Sequence, residues 1–128
     1  MKKIFKVLIS LLLILVLIFI SGIFYLTKGL KEGENITIDS INLSNLSDGV
    51  YLGEFKEGRW SNTLNVIVKD HKITEIILKD DVKFPMPNLS DELFSNVIKS
   101  QNTTVDTFSG ATVTSKAYLK SIKNALNN

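Results

Sequence analysis

A long apolar run near the N-terminus limits what this chain can fold into. Residues 7–26 are apolar or aromatic apart from Ser10, Ser21 and Gly22. A helix rises about 1.5 Å per residue, so a helix over this run would be roughly 30 Å long, like the hydrocarbon core of a bilayer. The run ends on bulky residues, IFYL at 23–26, whereas a cleaved secretory signal needs small residues at its cleavage site. The run therefore predicts an uncleaved membrane anchor, with a signal peptide as the alternative.

The lysines on either side of the run predict its orientation. Lys2, Lys3 and Lys6 precede it without an acidic residue among them. After the run, two glutamates offset the positive charge of the two lysines. Because Lys and Arg are retained on the cytoplasmic side, we expect the N-terminus inside the cell and the rest outside. The predicted order is a cytoplasmic tail at 1–6, a transmembrane anchor at 7–26, a stalk at 27–47 and an extracytoplasmic domain at 48–128.

Charge and composition exclude several classes of function. Taking the three leading lysines from the 15 basic residues leaves 12 basic against 13 acidic residues. Such a near-neutral domain lacks the basic surface that nucleic acid binding needs. The chain has no cysteine, which excludes disulfides, thiol catalysis and thiolate metal sites. We therefore expect no nucleic acid and no metal, and membrane lipid as a contact of the anchor alone.

Alternating apolar residues between 50 and 79 predict three antiparallel strands. The strands are expected over 50–57, 60–69 and 72–79, with a two-residue turn between the last two. Pairing across that turn predicts two apolar pairs, Val68 with Ile73 and Leu64 with Ile77. The opposite face also carries apolar residues, Ile67, Ile76 and Leu78, so the hairpin is expected to be covered on both sides. A further short strand is expected within the stalk, at 36–43.

Two amphipathic segments after a proline-containing loop predict helices. The first is expected to begin at an N-cap on Ser90 and to bury four residues, Leu93, Phe94, Val97 and Ile98. The second covers 116–126, with Thr114 or Ser115 as N-cap, and is expected to bury Tyr118, Leu119, Ile122, Ala125 and Leu126. The predicted fold is α+β, a small antiparallel sheet covered by helices and preceded by a single N-terminal transmembrane helix.

The stretch between these two helices carries the most chemistry. Its sequence, DTFSGATVTS at 106–115, surrounds Gly110 and Ala111 with hydroxyl groups and one carboxylate. Backbone N–H groups at a helix start point outward and favour a phosphate, so the stretch predicts a possible anion site. A threonine hydroxyl is a poor nucleophile without a base, and the nearby sequence offers none. The chain is therefore expected not to be an enzyme.

The same stretch resembles a known family signature. Asp106, Ser109, Gly110, Ala111 and Thr112 stand in the order Asp-x-x-Ser-Gly-Ala-Thr, which resembles the flavinylation motif of the FMN-binding domain family. The segments DGVYLG at 48–53 and VIVKDHKITE at 66–75 also resemble that family's opening strand and hairpin, where a glycine usually stands at the position of His71. The family includes the FMN-carrying subunits of sodium-pumping NADH:quinone reductase and of Rnf complexes, and extracellular electron-transfer flavoproteins.

The resemblance implies a cofactor and a way of attaching it. Thr112 would carry FMN through a phosphoester bond, installed by a separate flavin transferase that uses FAD, and four residues would complete the cofactor-binding motif, Asp106, Ser109, Gly110 and Ala111. The side chains of Asp106 and Ser109 are expected to hold the loop by local hydrogen bonds. Recognition by the transferase is the alternative role for Asp106. Four aromatic residues are candidates to stack on the flavin, Tyr51, Phe55, Trp60 and Phe108, although each taken singly is expected to be a core aromatic.

Two functions remain open at this point. The resemblance implies a membrane-anchored extracytoplasmic electron carrier, which relays electrons from a membrane dehydrogenase or quinol to an external acceptor. The alternative is a non-redox binding or sensory domain of the same fold, in which Thr112 stays unmodified.

Overall fold

The computed structural model describes residues 1–127, with the exception of the Glu32 side chain. Its first helix, α1 (Lys2–Thr27), contains the predicted anchor and has no buried residue. Within the described residues it is the one helix that is long and apolar enough to cross a membrane. This agrees with the membrane span expected from the apolar run.

The rest of the chain forms a small α+β domain, which confirms the predicted fold class. Its elements are α2 (Leu30–Glu34), β1 (Gly49–Phe55), a 3-10 turn (Gly58–Trp60), β2 (Asn62–Lys69), β3 (Lys72–Asp80), α3 (Leu89–Ser100) and α4 (Thr112–Leu126). The three strands form one antiparallel sheet in the order β1-β2-β3. All three predicted strands are present, although β1 ends at Phe55 and Trp60 lies in the turn before β2.

One face of the sheet is covered by α4, which packs on β1 and β2, while α3 packs on β3 and α4. The predicted apolar stripes of both helices are confirmed. All five predicted residues of α4 are buried. Of the four predicted in α3, Leu93, Phe94 and Val97 are buried in the same core and Ile98 is partly buried against it. The approach of α4 to β1 is so close that a Cβ at Gly53 would lie 2.0 Å from the carbonyl oxygen of Ser121.

A bulge changes the register of the predicted hairpin. Val68 pairs with Ile73 as expected, but Ile67 pairs with Glu75, so Thr74 is an extra residue on β3. Because of this insertion Leu64 pairs with Leu78, and the predicted pairing of Leu64 with Ile77 is wrong. The insertion also turns Ile76 toward the core and leaves Ile77 exposed.

The outer face of the sheet is open, so the prediction that the hairpin is covered on both sides is wrong. Exposed apolar side chains lie on this face, Val50, Leu52 and Ile77. The α3 and α4 helices both pack on the opposite face, because their apolar stripes match the side that carries Leu64, Val66 and Val68.

Both helices begin earlier than predicted, and neither has the expected side-chain cap. The α3 helix begins at Leu89, after Asn88 in the left-handed conformation with φ 63°, so Ser90 lies inside the first turn. The α4 helix begins at Thr112 after Ala111, so Thr114 and Ser115 lie inside the helix and are buried. The predicted N-caps at Ser90 and at Thr114 or Ser115 are therefore wrong.

The segment predicted as a stalk packs along the domain. Its apolar residues contact the two cores, with Ile38, Ile41 and Leu43 against the larger one and Leu30 and Ile36 against the smaller one. Residues 36–43 form no strand. Hydrogen bonds of this irregular segment reach the turn after α3 and the α4 helix instead, including one from Thr103 Oγ1 to the Asp39 carbonyl oxygen at 2.9 Å. The segment is not a free spacer, since its scattered isoleucines are partly buried against the domain.

Candidate functional site

An open cavity lies where α4 begins. Its volume is about 390 Å³, and its walls come from five parts of the chain, namely Leu30, Arg59-Trp60, Val82, Phe84 with Met86, and residues 110–114. The 3-10 turn between β1 and β2, the loop after β3 and the first turn of α4 thus contribute to its walls. A volume of this size falls within the roughly 300–1,000 Å³ of small-molecule and cofactor sites.

Thr112 is the first residue of α4 and lines this cavity. Its side chain is exposed, so the hydroxyl can be reached from solvent. The first acceptor inside the helix is the carbonyl oxygen of Ala111, which receives the N–H of Ser115 at 2.9 Å. The N–H groups of Thr112, Val113 and Thr114 therefore have no intrahelical acceptor. Ala111 offers no side-chain oxygen to cap them, so these donors are available to an anion at the cavity.

The loop before Thr112 is shaped by backbone geometry. Gly110 has φ 79°, in the left-handed region that favours glycine, and it turns the chain into α4. The N–H of Ala111 donates to the carbonyl oxygen of Phe108 at 3.0 Å. The N–H of Phe108 donates to Ser115 Oγ at 3.3 Å, which ties the loop to the buried side of the helix. The loop therefore presents Thr112 outward from a fixed turn.

Arg59 places a positive charge in the cavity wall. The centre of its guanidinium group lies 4.4 Å from the centroid of the Trp60 ring and 5.8 Å from that of the Phe84 ring. The Arg59 Nε atom is buried and has no hydrogen-bond partner among the described residues. The two salt bridges among the described residues, Lys56–Glu54 and Lys123–Asp39, do not involve Arg59. A cation held against two rings, with no carboxylate partner among the described side chains, is suited to an anionic ligand.

Three of the five predicted site residues meet at this cavity. Gly110, Ala111 and Thr112 line it, whereas Asp106 and Ser109 do not. The side chains of Asp106 and Ser109 are exposed and form no hydrogen bond within residues 1–127, so the expected loop-holding bonds are not formed. The hydroxyl of Ser115, seen from the sequence only as a possible cap, holds the loop in their place.

The aromatic candidates are divided by the fold. Trp60 lines the cavity, while Phe55 packs beside it in the smaller core. Tyr51 and Phe108 pack against the larger core. Phe84, Met86 and Arg59 were not among the predicted site residues, because only the fold brings them to the cavity that contains Thr112. One signal was available, because Arg59 is the only arginine in the sequence and stands beside the only tryptophan.

A buried tyrosine supports the wall formed by Val82. Tyr118 of α4 donates a hydrogen bond from its hydroxyl to Asp81 Oδ1, and Asp81 Oδ1 also accepts the N–H of Val82 at 2.7 Å. Burial is the main cause that raises the pKa of Tyr118 well above its usual value, and the hydrogen bond to Asp81 adds to it. Tyr118 therefore stays a neutral donor and links α4 to the chain segment that leaves β3.

The cavity has the chemistry that a flavin nucleotide requires. The free N–H groups of α4 and the Arg59 guanidinium suit a phosphate, and the rings of Trp60 and Phe84 suit a planar heteroaromatic group. Apolar side chains at Leu30, Val82 and Met86 complete the walls. The residues present thus fit a ligand with an anionic end and an aromatic end.

The comparisons with known proteins agree with this chemistry. The family model of the FMN-binding domain matches residues 20–127, which includes the cavity and most of the described chain. Comparison with curated proteins and with solved structures finds no match. Because the family match extends over far more than half of the sequence and includes the motif before α4, the chain belongs to the FMN-binding domain family.

Proposed function

We propose that the protein is a membrane-anchored, extracytoplasmic electron carrier with FMN attached to Thr112 through a phosphoester bond. One observation carries the proposal, namely that Thr112, at the start of the α4 helix, which has no side-chain cap, is exposed in a cavity that also contains Arg59, whose Nε atom has no hydrogen-bond partner among the described residues. Family membership supports FMN as the cofactor. The α1 helix supports attachment to a membrane.

The attachment step needs a second protein. In it, a bond forms between Thr112 Oγ1 and the phosphorus on the FMN side of FAD. The P–O bond of the pyrophosphate breaks, AMP leaves, and the hydroxyl proton goes to a base. Among the described residues that line the cavity with Thr112 there is no histidine or carboxylate, so we assign the base to a flavin transferase. The exposure of Thr112 gives that enzyme access to it.

The chain's own residues then hold the product. The phosphodiester keeps one negative charge, which the N–H groups of Val113 and Thr114 and the guanidinium of Arg59 would stabilise. The small side chain of Ala111 and the absence of one at Gly110 let the phosphate approach the backbone. Trp60 and Phe84 form the aromatic walls for the ring. When bound, FMN supplies the redox chemistry, accepting electrons and passing them on.

An extracytoplasmic location is a physical reason for a covalent bond. A site with micromolar affinity holds its ligand with about 8 kcal/mol at standard state. Outside the cell the free cofactor is continually diluted, so such a site would lose it. A phosphoester bond removes the dependence on cofactor concentration. The proposed electron donor is a membrane dehydrogenase or quinol, and the proposed acceptor lies outside the membrane.

The attachment is tested by the intact mass and in-gel flavin fluorescence of the full-length protein, produced with and without a flavin transferase. We expect the mass of one FMN and a fluorescent band only with the transferase. Thr112→Ala should lose both signals, whereas Thr112→Ser, which keeps a hydroxyl, should retain them. In the same assay Arg59→Gln should accumulate FMN more slowly, because it lacks the countercharge.

Thr104→Ala is the matched control, since Thr104 is an exposed threonine outside the cavity. It should carry FMN like the unaltered chain. If Thr112→Ala keeps the added mass, or if the unaltered chain never gains it in the presence of an active transferase, the carrier proposal is wrong. The non-redox binding or sensory domain would then be the better explanation.

A further inference from the structure

The cavity lies directly beside the end of the membrane helix. The α1 helix ends at Thr27, and Leu30, three positions later, already lines the cavity. Three residues span at most about 11 Å of extended chain. Gly58 of the 3-10 turn packs on the same exit, because a Cβ there would lie 2.6 Å from the carbonyl oxygen of Lys28. No spacer separates the cavity from the point where the chain leaves α1.

An exposed apolar loop forms the other side of the cavity mouth. Phe84 is 53% exposed and Met86 is 45% exposed, although both line the cavity. Each is followed by a proline, which restricts the loop backbone. Large apolar side chains held outward in a stiff loop are typical of a surface that contacts another apolar phase.

Basic residues flank both sides of this mouth. Lys28 and Lys31 follow the membrane helix, and Lys83 precedes Phe84, all three with exposed side chains. Lysines next to exposed aromatic and aliphatic side chains are typical of segments that lie at a membrane surface, with the apolar groups toward the acyl chains and the charged ends among the lipid headgroups.

We propose that the Phe84–Met86 loop contacts the outer surface of the membrane that α1 spans, so that the cavity mouth faces the lipid headgroups. This inference rests on the membrane crossing in the proposed function. The occupant is the lipid interface because the loop is continuous, through Leu30 and Gly58, with the exit of the membrane helix. The cofactor cavity would then exchange electrons with a carrier that reaches it from within the lipid phase.

The open face of the sheet provides an internal control. Val50 is apolar and 62% exposed, so it resembles Phe84 in both respects. However, it lies near the start of β1, beside the Asp70-His71 turn. The cavity lies beyond the other end of β1. The five residue-to-residue steps along the strand from Val50 to Phe55 span roughly 17 Å. Val50 is therefore an exposed apolar residue, like those of the loop, that lies away from the cavity.

The absence of cysteine allows a direct test with single-cysteine variants. Full-length Phe84→Cys, Met86→Cys and Val50→Cys are labelled with an environment-sensitive fluorophore and reconstituted in vesicles of phosphatidylcholine and phosphatidylglycerol. A second set of vesicles contains lipids with a nitroxide near the headgroup. Ile18→Cys, in the middle of α1, reports that the helix is inserted.

We expect nitroxide lipids to remove most of the fluorescence at positions 84 and 86 and to leave position 50 unchanged. Equal quenching at all three positions, or none at 84 and 86 while position 18 shows insertion, would overturn the proposal. A shielded emission spectrum at 84 and 86 without quenching would indicate a protein partner or a second copy and would also overturn it. Because the protein is tested without flavin, this outcome is independent of the FMN mass at Thr112.

Discussion

His71 holds a backbone conformation that costs free energy. It and Asp70 form the two-residue turn between β2 and β3, with φ 61° and 53°. Both values lie in the left-handed region, as a type I′ hairpin turn requires. Asp tolerates this region better than His, which has a larger side chain on Cβ. The family resemblance places a glycine at this position, and the structure shows why glycine would suit it.

Replacing His71 with glycine should stabilise the fold. We expect His71→Gly to raise the free energy of unfolding by up to about 1 kcal/mol, because glycine relieves the left-handed strain but is more flexible when unfolded. Urea unfolding of the full-length protein in detergent, followed by the fluorescence of the single buried tryptophan, Trp60, measures this.

His71→Ala is the control for the ring. His71 Nδ1 lies 3.2 Å from the carbonyl oxygen of Leu43, so alanine loses that contact and keeps the strain. The His71→Ala variant should therefore be less stable than the unaltered chain. If the His71→Gly variant is destabilised as much as His71→Ala, losing the contact with Leu43 costs more free energy than relieving the backbone strain gains.

At the scale of elements, the position of α4 decides where Thr112 lies. The helix packs across β1 at Gly53, where a Cβ would lie 2.0 Å from the Ser121 carbonyl oxygen and 2.9 Å from Ala125 Cβ. Backbone atoms cannot move aside as a flexible side chain can. Gly33 makes a similar approach to the first turn of α4, since a Cβ there would lie 2.4 Å from Val113 Cγ1. Close packing by α2 and β1 thus fixes both ends of the helix that carries the site.

A substitution at the β1–α4 contact should therefore destabilise the domain. We expect Gly53→Ala to lower the free energy of unfolding by about 1–3 kcal/mol, the usual effect of overpacking. Gly49→Ala in the same strand has nothing within 4 Å of its new Cβ and should change stability by less than about 0.5 kcal/mol. Urea unfolding measures both. Equal effects of the two variants would show that strand propensity, rather than the contact with α4, is responsible.

The segment at 28–47 is tied to α4 by an ion pair that should make stability depend on pH. Lys123 Nζ lies 2.8 Å from Asp39 Oδ2, and the hydrogen bond and charge of Lys123 lower the pKa of Asp39 below its usual 3.8. A lowered folded-state pKa means that the stabilisation is present above about pH 4 and is lost as the pH falls through the folded-state value.

We expect Asp39→Asn to be less stable than the unaltered chain at pH 7, because Lys123 is almost fully buried and would lose its counter-ion. The difference should shrink as the pH falls toward 3. Urea midpoints at several pH values measure it, with Glu75→Gln, an exposed position on β3, as the control. A difference that does not change with pH would contradict a role of the ion pair.

For the whole molecule, the segment between α1 and the sheet changes how the domain relates to a membrane. The polar stretch was expected to lift the domain away, but its residues pack on both cores. The domain boundaries at 6, 26 and 47 stay predictions. The family match begins at residue 20, before the end of α1, which agrees with a domain that includes the packed segment.

The orientation predicted from the flanking lysines can be tested on intact cells with a membrane-impermeant maleimide. We expect Lys99→Cys, on the exposed side of α3, to be labelled without permeabilisation. Lys3→Cys should be labelled only after permeabilisation, because the positive excess before α1 stays in the cytoplasm. The reverse pattern would show that the domain lies inside the cell and would remove the physical reason for covalent FMN.

The sequence by itself determined the local features of this protein. The apolar run predicts a long helix, alternation of apolar and polar residues predicts the strands, and the amphipathic pattern after the SGAT motif predicts the last helix. These signals are local because each depends on near neighbours and on which face of one element is apolar.

The tertiary structure decided the rest. In it, Thr74 forms a bulge in β3 and the segment expected as a stalk packs on the domain. Arg59 and Phe84 line the same cavity as Thr112. The reason is that a register, a packed segment and a cavity depend on contacts between residues far apart in the chain. No short stretch of sequence records which distant side chains will share one space.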